Sequence, residues 1–283
     1  MDIKPAFINV QGRLIDLSTP KVMGILNVTP DSFYRRSRYS TEKQILEAAE
    51  KMLGDGADIL DIGGYSSRPG AVDIPAAEEQ FRVMKAIKSV SARFPDAVLS
   101  VDTFRAQIAR EAVCEAGAHI INDITGGEGD EEMFNLVKEL NIPYIIMHMQ
   151  GVPRTMQDNP VYDDVVADIL KWFGDRIVPL QAVGVKDIII DPGIGFGKTI
   201  PQNFEILRRL GEFGIAGLPV MIGLSRKSLI WRSLGIQPDE ALNGTSVLNA
   251  VALLNGADIL RVHDVKEAVE TVKLIEKIRI QGQ

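Results

Sequence analysis

One unit recurs eight times along this chain: a short apolar run, a turn that opens on a polar residue, and an amphipathic helix. The apolar runs are Lys21 to Leu26, Ala57 to Ile62, Val98 to Val101, His119 to Ile121, Tyr144 to Met147, Asp187 to Ile190, Val220 to Leu224 and Ile259 to Val262. Each has the length and branching of a strand buried on both faces. Between them the pattern predicts helices over Glu42 to Leu53, about Pro75 to Phe94, Arg105 to Ala116 and about Glu131 to Leu140. Further helices are expected inside Val161 to Val183, over Asn203 to Leu210, as segments after Ser225-Arg226-Lys227-Ser228 through Asn255, and after His263-Asp264 to Ile280. Three strand openings are near copies, Gly56-Ala57-Asp58-Ile59-Leu60, Gly117-Ala118-His119-Ile120-Ile121 and Gly256-Ala257-Asp258-Ile259-Leu260, as if one unit had been reused. Eight alternations with no linker predict an α/β fold, a closed (β/α)8 TIM barrel. An open doubly wound sheet would want a glycine-rich fingerprint after its first strand, and Leu26-Asn27-Val28-Thr29-Pro30 is not one.

The remaining segments fit one domain over residues 1–283, with a hairpin at about 6–18 and the barrel at about 20–281. Phe7 to Leu17 alternates apolar and polar around Gln11-Gly12, as a β-hairpin does, and could plug one end of the barrel. Tyr34 to Tyr39 holds three arginines and no hydrophobic period, so it reads as a loop.

In a barrel of this type chemistry sits where the strands end. Those ends carry Asn27, Asp61, Asp102, Asn122 with Asp123, His148, Asp191, Lys227, and Arg261 with His263. Core packing does not ask for so many polar groups, because each is costly to bury without a partner. Asp191 opens Asp191-Pro192-Gly193-Ile194-Gly195-Phe196-Gly197-Lys198-Thr199, a stretch too rich in special backbone positions for a helix or strand. It reads either as a site loop or as a turn in which Asp191 caps the next helix. Asp102, Asn122 and Asp191 are acceptors suited to a flat heterocycle bearing N–H and amino groups. Arg68, Arg261 and His263 suit phosphate. Asn27 offers one amide oxygen, enough to complete the shell of a Mg²⁺ carried by a diphosphate. The three histidines are dispersed and no cluster has zinc spacing.

A net charge of −7 argues against non-specific nucleic-acid binding. The single cysteine, Cys114, excludes an internal disulfide and is expected as a packed thiol inside a helix. No apolar run approaches the length of a membrane span and no leader pattern opens the chain, so a cytoplasmic location is expected.

Taken in order, Met23 to Phe33, Asp61-Ile62-Gly63-Gly64, Ser67-Arg68-Pro69-Gly70, Ser100-Val101-Asp102-Thr103, Ile121-Asn122-Asp123-Ile124, Met147-His148-Met149, Asp191 to Thr199, Ser225-Arg226-Lys227-Ser228 and Arg261-Val262-His263-Asp264 resemble the dihydropteroate synthase family. The resemblance runs from about residue 6 to the C-terminus. It implies joining 6-hydroxymethyl-7,8-dihydropterin diphosphate to 4-aminobenzoate in folate biosynthesis, with loss of diphosphate. It also implies a sulfonamide target, a Mg²⁺ cofactor and a homodimer formed through helices late in the barrel. By the same resemblance Asp102, Asn122, Asp191 and Lys227 bind pterin, and Asn27, Arg261 and His263 meet the diphosphate and its Mg²⁺. Ser67, Arg68 and Pro69 match a second mobile loop that, with the first around Asp31 to Phe33, closes over aminobenzoate. Phe196, Lys227 and Ser228 match the walls of that second pocket. Asp102, Lys227, Arg261 and His263 are the expected catalytic residues.

Two stretches depart from the family's usual pattern. Phe33 is followed by Tyr34-Arg35-Arg36-Ser37-Arg38 instead of Ser-Asp-Gly-Gly, and Tyr65-Ser66-Ser67-Arg68 stands for Glu-Ser-Thr-Arg. Alternatives are a pterin-binding methyltransferase barrel, which has no use for a diphosphate site, and a paralogue that binds pterin without turnover.

Overall fold

The computed structural model describes residues 7–29, 41–66, 73–151, 155, 156, 158 and 160–280. Strands β1 (Phe7–Val10) and β2 (Arg13–Asp16) pair antiparallel, with Val10 opposite Arg13. The two residues between them, Gln11 and Gly12, both have positive φ, as a tight hairpin turn matched to the strand twist requires.

Eight parallel strands follow: β3 (Lys21–Asn27), β4 (Ile59–Gly63), β5 (Val98–Asp102), β6 (Ile120–Asp123), β7 (Tyr144–Met147), β8 (Ile188–Asp191), β9 (Met221–Ile222) and β10 (Ile259–Val262). They lie in the order β8-β7-β6-β5-β4-β3-β10-β9. A parallel bridge between Ile190 and Val220 brings the two ends of that sheet together, and the barrel closes there. Each strand is followed by helix. The helices are α1 (Glu42–Gly54), α2 (Ala76–Arg93), α3 (Ala106–Glu111), α4 (Met133–Leu140), α5 (Val165–Ala182), α6 (Ile200–Arg208), α7 (Ser228–Leu234), α8 (Leu242–Leu254) and α9 (Val265–Ile280). On α1 the buried residues Ile45, Ala48, Ala49 and Met52 recur at helical spacing, so one stripe faces the barrel and the rest faces water. Among the described residues no helix is long and apolar enough to cross a membrane.

Side chains alternate along a strand, so the residues aimed into the barrel can be followed level by level. The lowest level is wholly apolar: Met23, Ile59, Val98, Ile120, Ile145, Ile189, Met221 and Ile259. Ile8, Val10, Ile15 and Leu17 of the hairpin pack into the same cluster, so the hairpin does plug the barrel, at the end where strands begin. Burying side chains of this size stabilises the fold by roughly 1.5–3 kcal/mol each. Two residues further along, the inward positions become Ile25, Asp61, Ser100, Asn122, Met147, Asp191, Gly223 and Arg261. One more step reaches Asn27, Asp102, Ser225 and His263. The interior thus turns polar within two residues of a sealed apolar floor.

Cys114 differs from expectation. The backbone of α3 widens into a π-helical turn over Ala112–Ala116, in which Ala112 and Ala116 are buried. Cys114 lies midway between them on the opposite side and is exposed.

Candidate active site

At the polar level, Arg261 is the hub. Its Nε donates to Asp61 Oδ2 at 2.6 Å and its Nη2 to Asp102 Oδ2 at 2.6 Å. Asn122 Nδ2 donates to the same Asp61 oxygen at 3.0 Å. Asp61 is 0% exposed, a carboxylate placed in the interior by β4 and held there by two donors. Burial pushes the Asp102 carboxyl up to about 7, against the pull of the Arg261 cation. Burial also opposes the charge on Arg261, but Asp61 and Asp102 outweigh it and hold the guanidinium firmly protonated.

Asp191 ends β8 beside this group. Its Oδ1 accepts from the Gly193 backbone N–H at 2.7 Å, which turns the chain instead of capping a helix. Helix α6 starts later and is capped by Thr199, whose hydroxyl accepts from Gln202 N. Asp191 therefore does not cap the next helix. Burial raises the Asp191 pKa, and Lys227 is the first group to oppose that shift. Gly193, Gly195 and Gly197 all have positive φ. At Gly193 even a methyl group would sit 1.9 Å from the His148 carbonyl oxygen.

Lys227 enters from the turn before α7. Its Nζ lies 4.7 Å from the centre of the Phe196 ring and donates to the Ile194 carbonyl. Desolvation brings its pKa down to about 8. Two neighbours of Lys227 join the β10 end to this turn. Ser225 Oγ accepts from the His263 backbone N–H at 3.2 Å and sits 3.2 Å from His263 Nδ1. Arg226 donates to Asp264 through Nε at 2.9 Å and Nη2 at 3.0 Å. Burial first, and then the Arg261 charge, lower His263 to about 4. The sequence suggests His263 as a cationic or donating group for phosphate, and the lowered pKa favours the donating role.

Above these residues opens a cavity of about 780 Å³ whose walls include Asn27, Tyr65, Asp102, Phe196, Lys227, Ser228, Arg261 and His263. Asn122 and Asp191 lie beneath it, joined to it through Asp61, Arg261 and Lys227. Ser67, Arg68 and Pro69, and the first loop around Asp31 to Phe33 with the arginine-rich segment after it, lie outside the described residues. Two strand-end groups turn away. Asp123 faces outward, where it accepts from the Tyr144 hydroxyl at 2.7 Å and from Thr125. His148 packs edge-on against Trp172, with ring centres 5.1 Å apart.

Two buried charged residues take contacts that the sequence reading does not assign. Asp61 stands among the strand ends, and its spacing from Ile59 puts it inside the barrel, but only the structure shows it gripping Arg261. Lys198 is 2% exposed, and its role leaves no trace in the sequence pattern. Among the described residues no group of three or more His, Cys, Asp or Glu could hold a metal ion. The single amide of Asn27 on the cavity wall fits an ion that arrives on a diphosphate, not one stored by the protein.

Comparison with known proteins places the chain in a family. The family model described as pterin binding enzyme matches residues 23–263. The dihydropteroate synthase of Escherichia coli strain K12 is 41% identical over 268 residues, 94% of each chain. That of Haemophilus influenzae is 42% identical over 236 residues, 83% of this chain and 85% of the relative. A Yersinia pestis dihydropteroate synthase solved with a sulfonamide drug superposes with a TM-score of 0.93 at 39% identity, covering 97% of this chain and 99% of that one. The Xanthomonas albilineans enzyme with 4-aminobenzoic acid gives 0.88 at 37% identity, over 97% and 98%.

Proposed function

The chain belongs to the pterin binding enzyme family, and from that premise we infer that it catalyses the dihydropteroate synthase reaction. It is a transferase that forms a C–N bond between 6-hydroxymethyl-7,8-dihydropterin diphosphate and 4-aminobenzoate, releasing diphosphate, in folate biosynthesis. The observation that carries this reading is the acceptor set of Asp102, Asn122 and Asp191 around the Arg261 hub, directly above a sealed apolar floor.

Asp102, Asn122 and Asp191 present acceptors to the N–H and amino groups of a pterin ring at that level. Arg261, fixed from below by Asp61, and the neutral His263 donate to the diphosphate end. A Mg²⁺ carried on the diphosphate, with Asn27 completing its shell, would neutralise charge on the leaving group. The bond from the pterin methylene carbon to the bridging oxygen breaks, and diphosphate departs with the electron pair. The carbon is left cationic, delocalised into the ring, in the field of Asp102 and Asp191. The neutral arylamine attacks this carbon and afterwards loses a proton to solvent, so no strong general base is required. Phe196, the stem of Lys227 and Ser228 line the side from which the amine comes. The substitution is dissociative, SN1-like, and water must be kept from the cation.

The same reading makes the second pocket a sulfonamide target. It also takes the protein as a cytoplasmic homodimer. Leu234 of α7, Val247 and Leu254 of α8 and Leu274 and Ile278 of α9 are more than half exposed, an apolar face late in the barrel that supports pairing of two copies.

The test is release of diphosphate from the pterin substrate with and without 4-aminobenzoate. Release accompanied by dihydropteroate supports the assignment. Pterin binding without either product overturns it.

A further inference from the structure

The buried ammonium of Lys198 plays no part in the chemistry described so far; the Asp191 carboxylate acts on it through space, but its hydrogen bonds go elsewhere. Its Nζ donates to the carbonyl oxygens of Gly193 at 3.0 Å, Phe196 at 2.8 Å and His148 at 3.2 Å, and it lies 3.0 Å from His148 Nδ1. A buried cation met mainly by neutral dipoles is costly to desolvate, and its pKa falls well below the ordinary lysine value for that reason. Simple packing would favour an apolar side chain here. The carbonyls it gathers come from two places, the end of β7 and both halves of the 193–198 loop.

The other braces of that loop come from α6. Asn203 Oδ1 accepts from Gly195 N at 2.7 Å, and its Nδ2 donates to the carbonyls of Lys198 and Thr199. Between these two sets of braces the loop presents to Lys227 the face of the Phe196 ring and the carbonyl of Ile194. Both lie within the stretch from Gly193 to Phe196, whose first and last carbonyls Lys198 binds.

We propose that Lys198 is a positioning residue for the aminobenzoate side of the pocket, setting the Phe196 ring and the Ile194 carbonyl and, through them, the direction of Lys227. The inference rests on the reaction assigned above. It bears first on aminobenzoate, because Asp61, Asp102 and Asn122 of the pterin floor are joined by hydrogen bonds that do not pass through Lys198, while Asp191 meets the same loop at the Gly193 N–H.

The experiment is steady-state kinetics of Lys198→Met, which keeps length and removes the donors. The expected result is a rise of about tenfold in KM for 4-aminobenzoate, with KM for the pterin diphosphate and kcat each within about threefold of the parent. In a Phe196→Ala background the same substitution should lose most of its effect, since the two residues act in series. Should Lys198→Met lack the parent far-UV circular dichroism, Lys198→Gln, which keeps two N–H donors on a shorter stem, is expected to raise KM for 4-aminobenzoate by less and again to spare the pterin diphosphate. Equal losses for both substrates, unchanged kinetics, or full additivity with Phe196→Ala overturn the inference. Absence of turnover in the parent overturns the assigned reaction instead.

Discussion

Arg261 and Asp61 meet at 2.6 Å on the floor of the pocket, one delivered by β10 and the other by β4, the two strands that flank β3. The contact fixes the guanidinium from below, so that its second bond, to Asp102, points it at the cavity. Removing one partner of a buried ion pair leaves the other charge stranded, which costs roughly 3–5 kcal/mol. Asp61→Ala should therefore lower the unfolding free energy by that order, toward the lower end because Asp102 still holds Arg261. Urea denaturation measures it, and titration with a pterin analogue should show weakened binding in the folded variant. Parent-like stability and affinity would show that Asp61 is a spectator.

Acidity should shape the rate from both sides. Asp102 is pushed up to about 7, chiefly by burial, so below that pH the carboxyl is neutral and a poor acceptor for pterin N–H groups. Lys227 is drawn down to about 8, again by burial, so above that pH its charge is lost. A plot of kcat/KM against pH should rise through about 7 and fall beyond about 8, as free-enzyme groups dictate. Asp102→Asn should abolish the acid limb and Lys227→Arg should move the alkaline limb upward. The linked effect on stability has its own sign: at Asp102 the folded state holds a proton that the unfolded chain has released, so this group's contribution falls as pH climbs from 3.8 toward about 7. A flat profile between pH 6 and 9 would contradict both assignments.

The barrel and its polar mouth are legible in the sequence because period-two alternation within a strand is a local property. Ile59 and Asp61, or Ile259 and Arg261, declare a floor and a rim on their own. Faces are harder to read where a strand ends. Asn122 and Asp123 are neighbours, yet one faces the pocket and the other Tyr144, and only the register of β6 against β5 decides which. His148 carries the right chemistry at a strand end but lies just past β7, where the alternation no longer applies. Cys114 was hidden by a change of helical pitch. Lys198 was illegible for a different reason: its partners are main-chain carbonyls, whose directions depend on glycine φ values and not on residue type.

Those glycine conformations make a prediction of their own. Gly193 combines φ +71 with a methyl position 1.9 Å from the His148 carbonyl oxygen, while Gly184 has φ +96 and open space around that position. Gly184→Ala thus isolates backbone strain, about 1 kcal/mol. Gly193→Ala adds displacement of the carbonyl that Lys198 binds, and should cost several-fold more, with a lower denaturation midpoint at unchanged slope. Equal losses at the two positions would mean that the loop shifts freely away from β7.

Metal removal should separate turnover from folding. If the divalent ion arrives on the diphosphate and meets only the Asn27 amide, the protein has no stake in it before substrate binds. Chelation with EDTA is then expected to stop diphosphate release while leaving Tm and the affinity for a pterin lacking diphosphate unchanged, because ligands that bind only the folded state are what shift apparent stability. Asn27→Ala should raise the Mg²⁺ concentration needed for half-maximal rate without altering Tm. A fall in Tm on chelation would instead reveal a stored ion, for which the described residues provide no acidic cluster.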